Sequence, residues 1–183
     1  MYEEFKNRAV GVGAEVYRFQ TKRDALDFIL PFMQREGVAD LAGAYAVWAA
    51  DSFLDGVDRK ELLALPGLSF EVTRQRASQA RIGVSQMEWA LADTGSLVQD
   101  QSAVTERLAS SLPAIHIAVV PSANILPDKR ALFARLTPQT SRYIAFITGP
   151  SRTADIERVL TIGVHGPERL IVVFVDEMGG TKR

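Results

Sequence analysis

The sequence predicts an α/β protein with a mostly parallel sheet. Helical and strand-like segments alternate from end to end. The run "AIHIAVVP" (114–121) reads as a buried strand, and "RYIAFITG" (142–149) carries no charge after its first residue, which suits a strand covered on both faces of a parallel sheet. No repeat, low-complexity tract or long linker divides the chain, so its 183 residues, 47% of them hydrophobic, suffice for one domain with a full core.

Taken in order, "YEEFKNRAV" (2–10) is a short helix candidate and "EVYRFQ" (15–20) a strand. "TKRDALDFILPFMQREG" (21–37) is a helix capped by Thr21 and interrupted or bent near Pro31. "GAYAVWAA" (43–50) is a second strand and "DRKELLALPG" (58–67) a short helix. "MEWALADTGSLVQD" (87–100) places apolar residues on both sides of Asp93, Thr94, Gly95 and Ser96, as a hairpin or strand corner does. "SAVTERLASSLP" (102–113) and "DKRALFARL" (128–136) are helices on either side of 114–121. "RYIAFITG" then breaks at Pro150, which has no amide hydrogen for the ladder, and "SRTADIE" (151–157) starts a helix with Ser151 or Thr153 as cap and Asp155 and Glu157 in line with its dipole. "TIGVHGP" (161–167) is a loop, "RLIVVFVD" (169–176) a last strand, and the tail 177–183 is expected to fray.

Composition removes several functional classes. A formal net charge of −1, with basic and acidic residues intermixed, offers no stripe for nucleic-acid phosphates. No apolar run approaches the roughly 20 residues that cross a bilayer, and no targeting segment precedes the first helix, so a soluble cytoplasmic protein is expected. With no cysteine, this chain offers no thiolate to a zinc site or an iron–sulfur cluster, so any redox metal belongs to a partner and no cofactor is expected on the chain itself. "GVGAEV" (11–16) precedes a strand rather than following one and lacks the third glycine of a dinucleotide fingerprint, so it reads as a turn. No Walker loop, nucleophile elbow or metalloprotease helix occurs, and the acidic and histidine residues show no tight metal-ligand spacing.

The polar residues that remain concentrate in a few places. Loops at the carboxyl ends of strands in open α/β sheets commonly hold ligands, helix starts favour anions, and Arg152 adds a fixed positive fork. "GPSRT" (149–153) therefore points to an anionic ligand, a carboxylate or a phosphate. Its structural alternative is plain helix capping. His116, inside a strand, reads more readily as a neutral, hydrogen-bonded core residue than as a ligand group. His165, between Gly-rich neighbours in a loop, fits a site and an ordinary surface equally. Asp93, Thr94, Gly95 and Ser96 offer a carboxylate and two hydroxyls around a permissive glycine, or simply a turn that satisfies its own backbone. Arg107 is a surface charge or a second anion clamp.

Together, "ALADTGSLV", "ERLASSLPAIHIAVV", "ITGPSRTADIERVLTIGVHGP" and "LIVVFV" resemble the LUD domain of the lactate utilisation protein C family, over roughly residues 80–175 in wording and over the first 80 in element order. The resemblance implies a single domain over 1–183 with a three-layer α/β/α fold, similar to that of ribose phosphate isomerases, glucosamine-phosphate deaminases and coenzyme A transferases. It further implies a role in oxidising L-lactate to pyruvate beside two iron–sulfur partner subunits, with this chain as the cluster-free member. The family's motif residues fall here on Asp93, Thr94, Gly95, Ser96, Arg107, His116, Ser151, Arg152, Thr153, Asp155, Glu157, Gly163, His165 and Gly166. On this basis Asp93 and His165 are the candidate proton acceptors, and Thr94, Gly95, Ser96, Arg107, Ser151, Arg152, Thr153, Asp155, Gly163 and Gly166 the candidate ligand-binding set. The alternative function is a stand-alone enzyme acting on a sugar phosphate or an acyl-coenzyme A.

Overall fold

The computed structural model describes residues 1–49, 51–136, 143–152, 163 and 165–179. The helix expected from "SRTADIE", with Thr153, Asp155 and Glu157, lies outside those residues, as do the last four residues of the tail. Ten strands are present among the described residues: β1 (Glu15–Phe19), β2 (Tyr45–Trp48), β3 (Leu68–Ser69), β4 (Ala80–Gln86), β5 (Trp89–Leu91), β6 (Ser96–Asp100), β7 (Ile115–Pro121), β8 (Ile125–Leu126), β9 (Ile144–Ile147) and β10 (Arg169–Val175). Six of them form an all-parallel sheet in the order β1-β10-β7-β4-β2-β3. The other four form a smaller mixed sheet in the order β8-β5-β6-β9.

Side chains alternate across a strand, so each parallel strand feeds two cores. In β7, Ile115, Ile117 and Val119 enter the larger core, which Ala25, Leu26, Ile29, Phe32 and Met33 of the helix α2 (Lys22–Arg35) and Leu62 of α3 (Arg59–Leu63) close from above. Ala118 and Val120 enter a second core beneath, shared with Phe5 and Ala9 of α1 (Tyr2–Gly11) and with Ala90 and Leu97 of the small sheet. Phe174 of β10 receives Phe5 and Tyr2 edge-on, at 5.1 and 5.5 Å between ring centres. On the same lower face, Ala77 of α4 (Arg74–Ser78) and Ala109 of α5 (Val104–Ser111) pack on Val47 and Ala80. Helices thus cover both faces of a mostly parallel sheet, which is the expected three-layer α/β/α class.

The entry to α2 follows the sequence closely. Thr21 Oγ1 accepts from the Asp24 amide at 3.1 Å while the Asp24 carboxylate accepts from the Thr21 amide at 3.2 Å, a complete capping box. Thr21→Ala should lower stability by about 1 kcal/mol without altering the sheet, measured by urea denaturation. Glu177, at the start of the tail, is tied to the same corner: its amide donates to the Gln20 carbonyl at 2.9 Å and its carboxylate accepts from the Lys22 amide at 2.8 Å.

Two expectations are corrected. Of the two readings at Pro31, interruption is the one that falls, because α2 runs through it as one element. Pro31 lies on the exposed side, so water can hydrate the carbonyl left without a proline amide. The strand at 142–149 is not a buried parallel strand either. β9 is the antiparallel edge of the small sheet, paired with β6 from Leu97↔Ile147 to Asp100↔Ile144, and its residues are only half covered. Its apolar character is used on opposite sides: Ile147 packs on the second core and Ile144 on a cluster with Trp89 and Leu132.

Candidate functional site

The turn after β9 is positioned by α1. Gly149, at φ 71°, has room for no side chain, because a Cβ there would lie 2.6 Å from the Val12 carbonyl oxygen. Gly95, at φ 67°, brings the β5–β6 turn equally close to the Ala9 amide. Both turns therefore rest on the last turn of α1 and the residues that follow it. Arg152 extends the same contact: its Nη2 donates to the Val12 carbonyl at 2.6 Å. The Ser151 amide donates to the Pro167 carbonyl at 2.8 Å, and the Ser151 carbonyl accepts from the Gly163 amide at 3.0 Å. These bonds dock "GPSR" against "HGP", and Gly166 lets the Ser151 side chain lie flat on it, since a Cβ there would come within 3.0 Å.

A cleft of ≈ 390 Å³ opens between these loops. Its lining includes Ser151, Arg152, His165 and Gly166 of the two loops, Ser110 and Ser111 of α5, Gln101, and His116 of β7. His165 and Arg152 are exposed. His116 is 0% exposed, with Nε2 2.9 Å from the buried Ser85 hydroxyl and with no partner for Nδ1. Burial alone pushes its imidazole down to about 3, so it stays neutral at every ordinary pH. Gln101 is held by its own side-chain amide, which donates to Gln99 Oε1 at 3.0 Å and to Ser110 Oγ at 2.8 Å. The wall is thus neutral and polar inside and carries the Arg152 guanidinium at the mouth, an arrangement with the chemistry to receive a small ligand with one negative end.

The cleft is not where the sheet argument put it. The loop "GPSR" does follow the carboxyl end of a strand, but that strand is an antiparallel edge, and the cleft faces the amino-terminal ends of β7 and β10. The other candidate residues are distributed around it. Ser96 Oγ lies 2.7 Å from Thr148 Oγ1, and Thr148 lines the cleft, so Ser96 stands one hydrogen bond behind it. Asp93, Thr94 and Gly95 do not line it. Asp93 is exposed, its amide bound to the Pro127 carbonyl at 3.1 Å, and Thr94 Oγ1 is buried without a partner. The Arg107 guanidinium lies over the Tyr143 ring, 5.0 Å from its centre, rather than in the cleft. Gly163 contributes its amide to the loop docking but no wall.

The profile of the LUD domain matches residues 2–175. The chain belongs to the LUD domain family. This LUD domain is 38% identical over 109 residues to lactate utilization protein C of Bacillus licheniformis, covering 56% of this chain and 45% of that protein. It is 34% identical over 114 residues to the protein of the same name from an Exiguobacterium species, covering 59% and 50%, and 33% identical over 109 residues to that of Bacillus subtilis, covering 56% and 45%. The chain therefore spans about half the length of the curated relatives it matches. In fold, it superposes on the crystal structure of a DUF162 family protein from Deinococcus radiodurans with a TM-score of 0.62 over 95% of both chains, at 19% identity. Among the described residues, no helix is long and apolar enough to cross a membrane.

One polar group of this LUD domain lay outside the sequence reading. Asp51 follows β2, and with Gln86 of β4, Gln99 of β6 and Glu106 of α5 it lines a crevice of ≈ 160 Å³ at the carboxyl ends of β2 and β4. Those two strands flank the point where strand order reverses, since β3 is laid outside β2 and β4 on its other side. Neither Asp51 oxygen is solvent-exposed or reaches a hydrogen-bonding partner. Burial pushes its carboxyl up to about 7, and the Trp48 indole and the Leu54 and Phe53 amides nearby only partly oppose this. The signal was an acid placed directly after the apolar run "AVWAA", where a parallel strand ends.

Proposed function

We propose that the protein is a cluster-free subunit supporting the oxidation of L-lactate to pyruvate with iron–sulfur partner proteins, and that its cleft binds a small carboxylate. The observation that carries this reading is the convergence of Arg152, Ser151, His165 and the buried His116 on one ≈ 390 Å³ cleft. The name shared by the curated relatives supports the choice of lactate, and a chain with no thiolate of its own fits redox groups carried by partners. Arg152 has five N–H donors and, among the described residues, uses one on Val12, which leaves a guanidinium edge that a carboxylate could take. The Ser151 amide is already engaged with Pro167, so the second contact falls to its hydroxyl rather than its backbone. His165, exposed at the mouth, stands as the acceptor of the ligand hydroxyl proton, and the C2 hydrogen leaves with the bonding electron pair, so that both electrons pass to an acceptor on a partner.

The test is calorimetric titration of L-lactate into the wild-type chain and into Arg152→Ala and Arg152→Lys. A charge-assisted pair contributes about 1.5–3 kcal/mol, so Arg152→Ala should weaken binding roughly 10- to 100-fold, with Lys recovering only part of it. Equal affinity in all three proteins would remove Arg152 from the site. If the chain also forms no complex with the iron–sulfur proteins and leaves their lactate oxidation rate unchanged, the subunit reading fails.

A further inference from the structure

Strand β9 ends the small sheet, and among the described residues no strand covers its outer side. The Gln101 amide donates to the Tyr143 carbonyl at 2.8 Å, which sets the alternation of the antiparallel ladder. Tyr143, Ala145 and Ile147 bond towards β6, while Ile144 and Phe146 turn amide and carbonyl to the open edge. Such an edge is a template for another strand, and proteins usually blunt it with a charge, a proline or a bulge. "IAFI" (144–147) has neither charge nor proline, and its register with β6 is unbroken. The surface beside it is aromatic and cationic. Phe146 meets Phe133 of α6 (Lys129–Phe133), itself 57% exposed, at 6.4 Å between ring centres, and Lys129 Nζ stands 5.3 Å from the Phe146 ring centre. Arg107 lies over the exposed Tyr143, and Arg130 and Arg135 are exposed on and just after α6. Among the described residues, none of these four cations is in a salt bridge. The nearby acids are engaged: Asp128 caps α6 by accepting from the Ala131 amide at 2.8 Å, and Asp100 accepts from the Ser102 amide at 3.0 Å.

A second copy of the chain would bring this positive platform against itself across a two-fold axis, so the complementary occupant is an acidic segment of a different protein. Its location links it to the cleft, because Phe146, Ile147 and Thr148 line the cleft as well. Building on the reading in which electrons pass from the cleft to a partner, we propose that the partner docks on β9: an extended acidic segment of the electron-accepting protein adds to the small sheet as its fifth strand. The segment's backbone pairs with Ile144 and Phe146, its apolar side chains rest on Phe133 and Phe146, and its carboxylates meet Lys129, Arg130 and Arg135. Side chains alternate along a strand, so the docking segment carries acidic and apolar residues in turn. The partner is thereby held at the rim of the cleft from which it takes electrons.

The test is amide hydrogen exchange, read residue by residue by NMR on the full chain, alone and with its purified iron–sulfur partner proteins. Affinity for those proteins and for L-lactate would be measured in parallel for the wild type, Phe133→Asp and Lys129→Glu, two positions that do not line the cleft. In the complex, the Ile144 and Phe146 amides should exchange at least about 10-fold more slowly, as new ladder hydrogen bonds require. Phe133→Asp should weaken the complex about 10- to 30-fold, the loss typical of an aromatic anchor. Lys129→Glu should slow association and flatten its dependence on salt, and both variants should bind L-lactate as the wild type does. A complex that leaves the Ile144 and Phe146 amides unprotected, or that both variants form with unchanged affinity, overturns the docking surface and leaves the subunit reading standing. Protection of these amides that rises with the concentration of the chain alone assigns the edge to a second copy and also overturns it. No complex with the wild type overturns both readings. The exchange measurement needs no substitution, so it decides the matter even if a variant fails to fold.

Discussion

Gly83→Ala will destabilise the protein by at least about 3 kcal/mol, at the upper end of what overpacking a core produces. Helix α5 crosses β4 at this residue so closely that an added Cβ would sit 1.9 Å from the Ala109 carbonyl oxygen and 2.8 Å from Pro113 Cγ. The nearer obstacle is backbone, which no rotamer change can clear. Relief requires α5 to lift from the sheet, separating Ala109 from the Val47 and Ala80 cluster and shifting Ser110 and Ser111 at the cleft wall. The expected readout is a large fall in the urea midpoint with an unchanged dependence on denaturant, together with weakened ligand binding in whatever fraction stays folded. A loss under about 1 kcal/mol would show that α5 is free to move and that the cleft is not built on a rigid wall.

Asp51→Asn is the second large effect, and its sign depends on pH. The folded chain keeps the Asp51 proton up to about pH 7, whereas the unfolded chain releases it near 3.8. Between those values the native state binds more protons than the unfolded state, so stability falls as pH rises and the fall is complete above about 7. At about 1.4 kcal/mol for each tenfold change in proton affinity, the burden on the native state at pH 8 reaches at most about 4 kcal/mol. Asparagine mimics the protonated acid and does not titrate. The variant should match the wild type near pH 4 and exceed it increasingly towards pH 8, measured by denaturation at a series of pH values. A constant difference across that range, or a less stable variant at pH 8, would mean that the Asp51 carboxylate is charged and solvated in the native state.

The parts of the fold that could be read from the chain are those where a local signal and the tertiary role coincide. Strand β7, with Ile115, Ile117 and Val119 against Ala118 and Val120, needs apolar residues on both faces and shows them. Thr21 and Asp24 close a cap within one turn of helix, so their spacing suffices. Strand β4 is central to the sheet yet gave no comparable signal. Its lower face carries Gly83 and Ser85, the first small because α5 needs the space and the second polar because His116 needs a partner. A strand whose composition is set by one helix and one histidine has no period of its own to detect. β9 erred in the other direction: an apolar edge strand that divides its side chains between two partly covered clusters looks, as a string, like a fully buried one.

The candidate site divides along the same line. The wording of "GPSR" and "HGP" marked Ser151, Arg152, His165 and Gly166, and the structure brings them into one cleft. Asp93 and Arg107 were marked with equal force and stand outside it, because proximity in a motif says nothing about the direction of a side chain. By itself, the sequence determined the α/β class, the alternation of helices and strands, the loops that carry polar chemistry and the absence of thiolate ligands, since each follows from residue type and local spacing. Only the tertiary structure decided that the cleft faces the amino ends of β7 and β10, that His116 lacks a partner at Nδ1, and that Asp51 is stripped of solvent. Those properties are sums over neighbours distant in the chain, and burial, unlike periodicity, has no local signature.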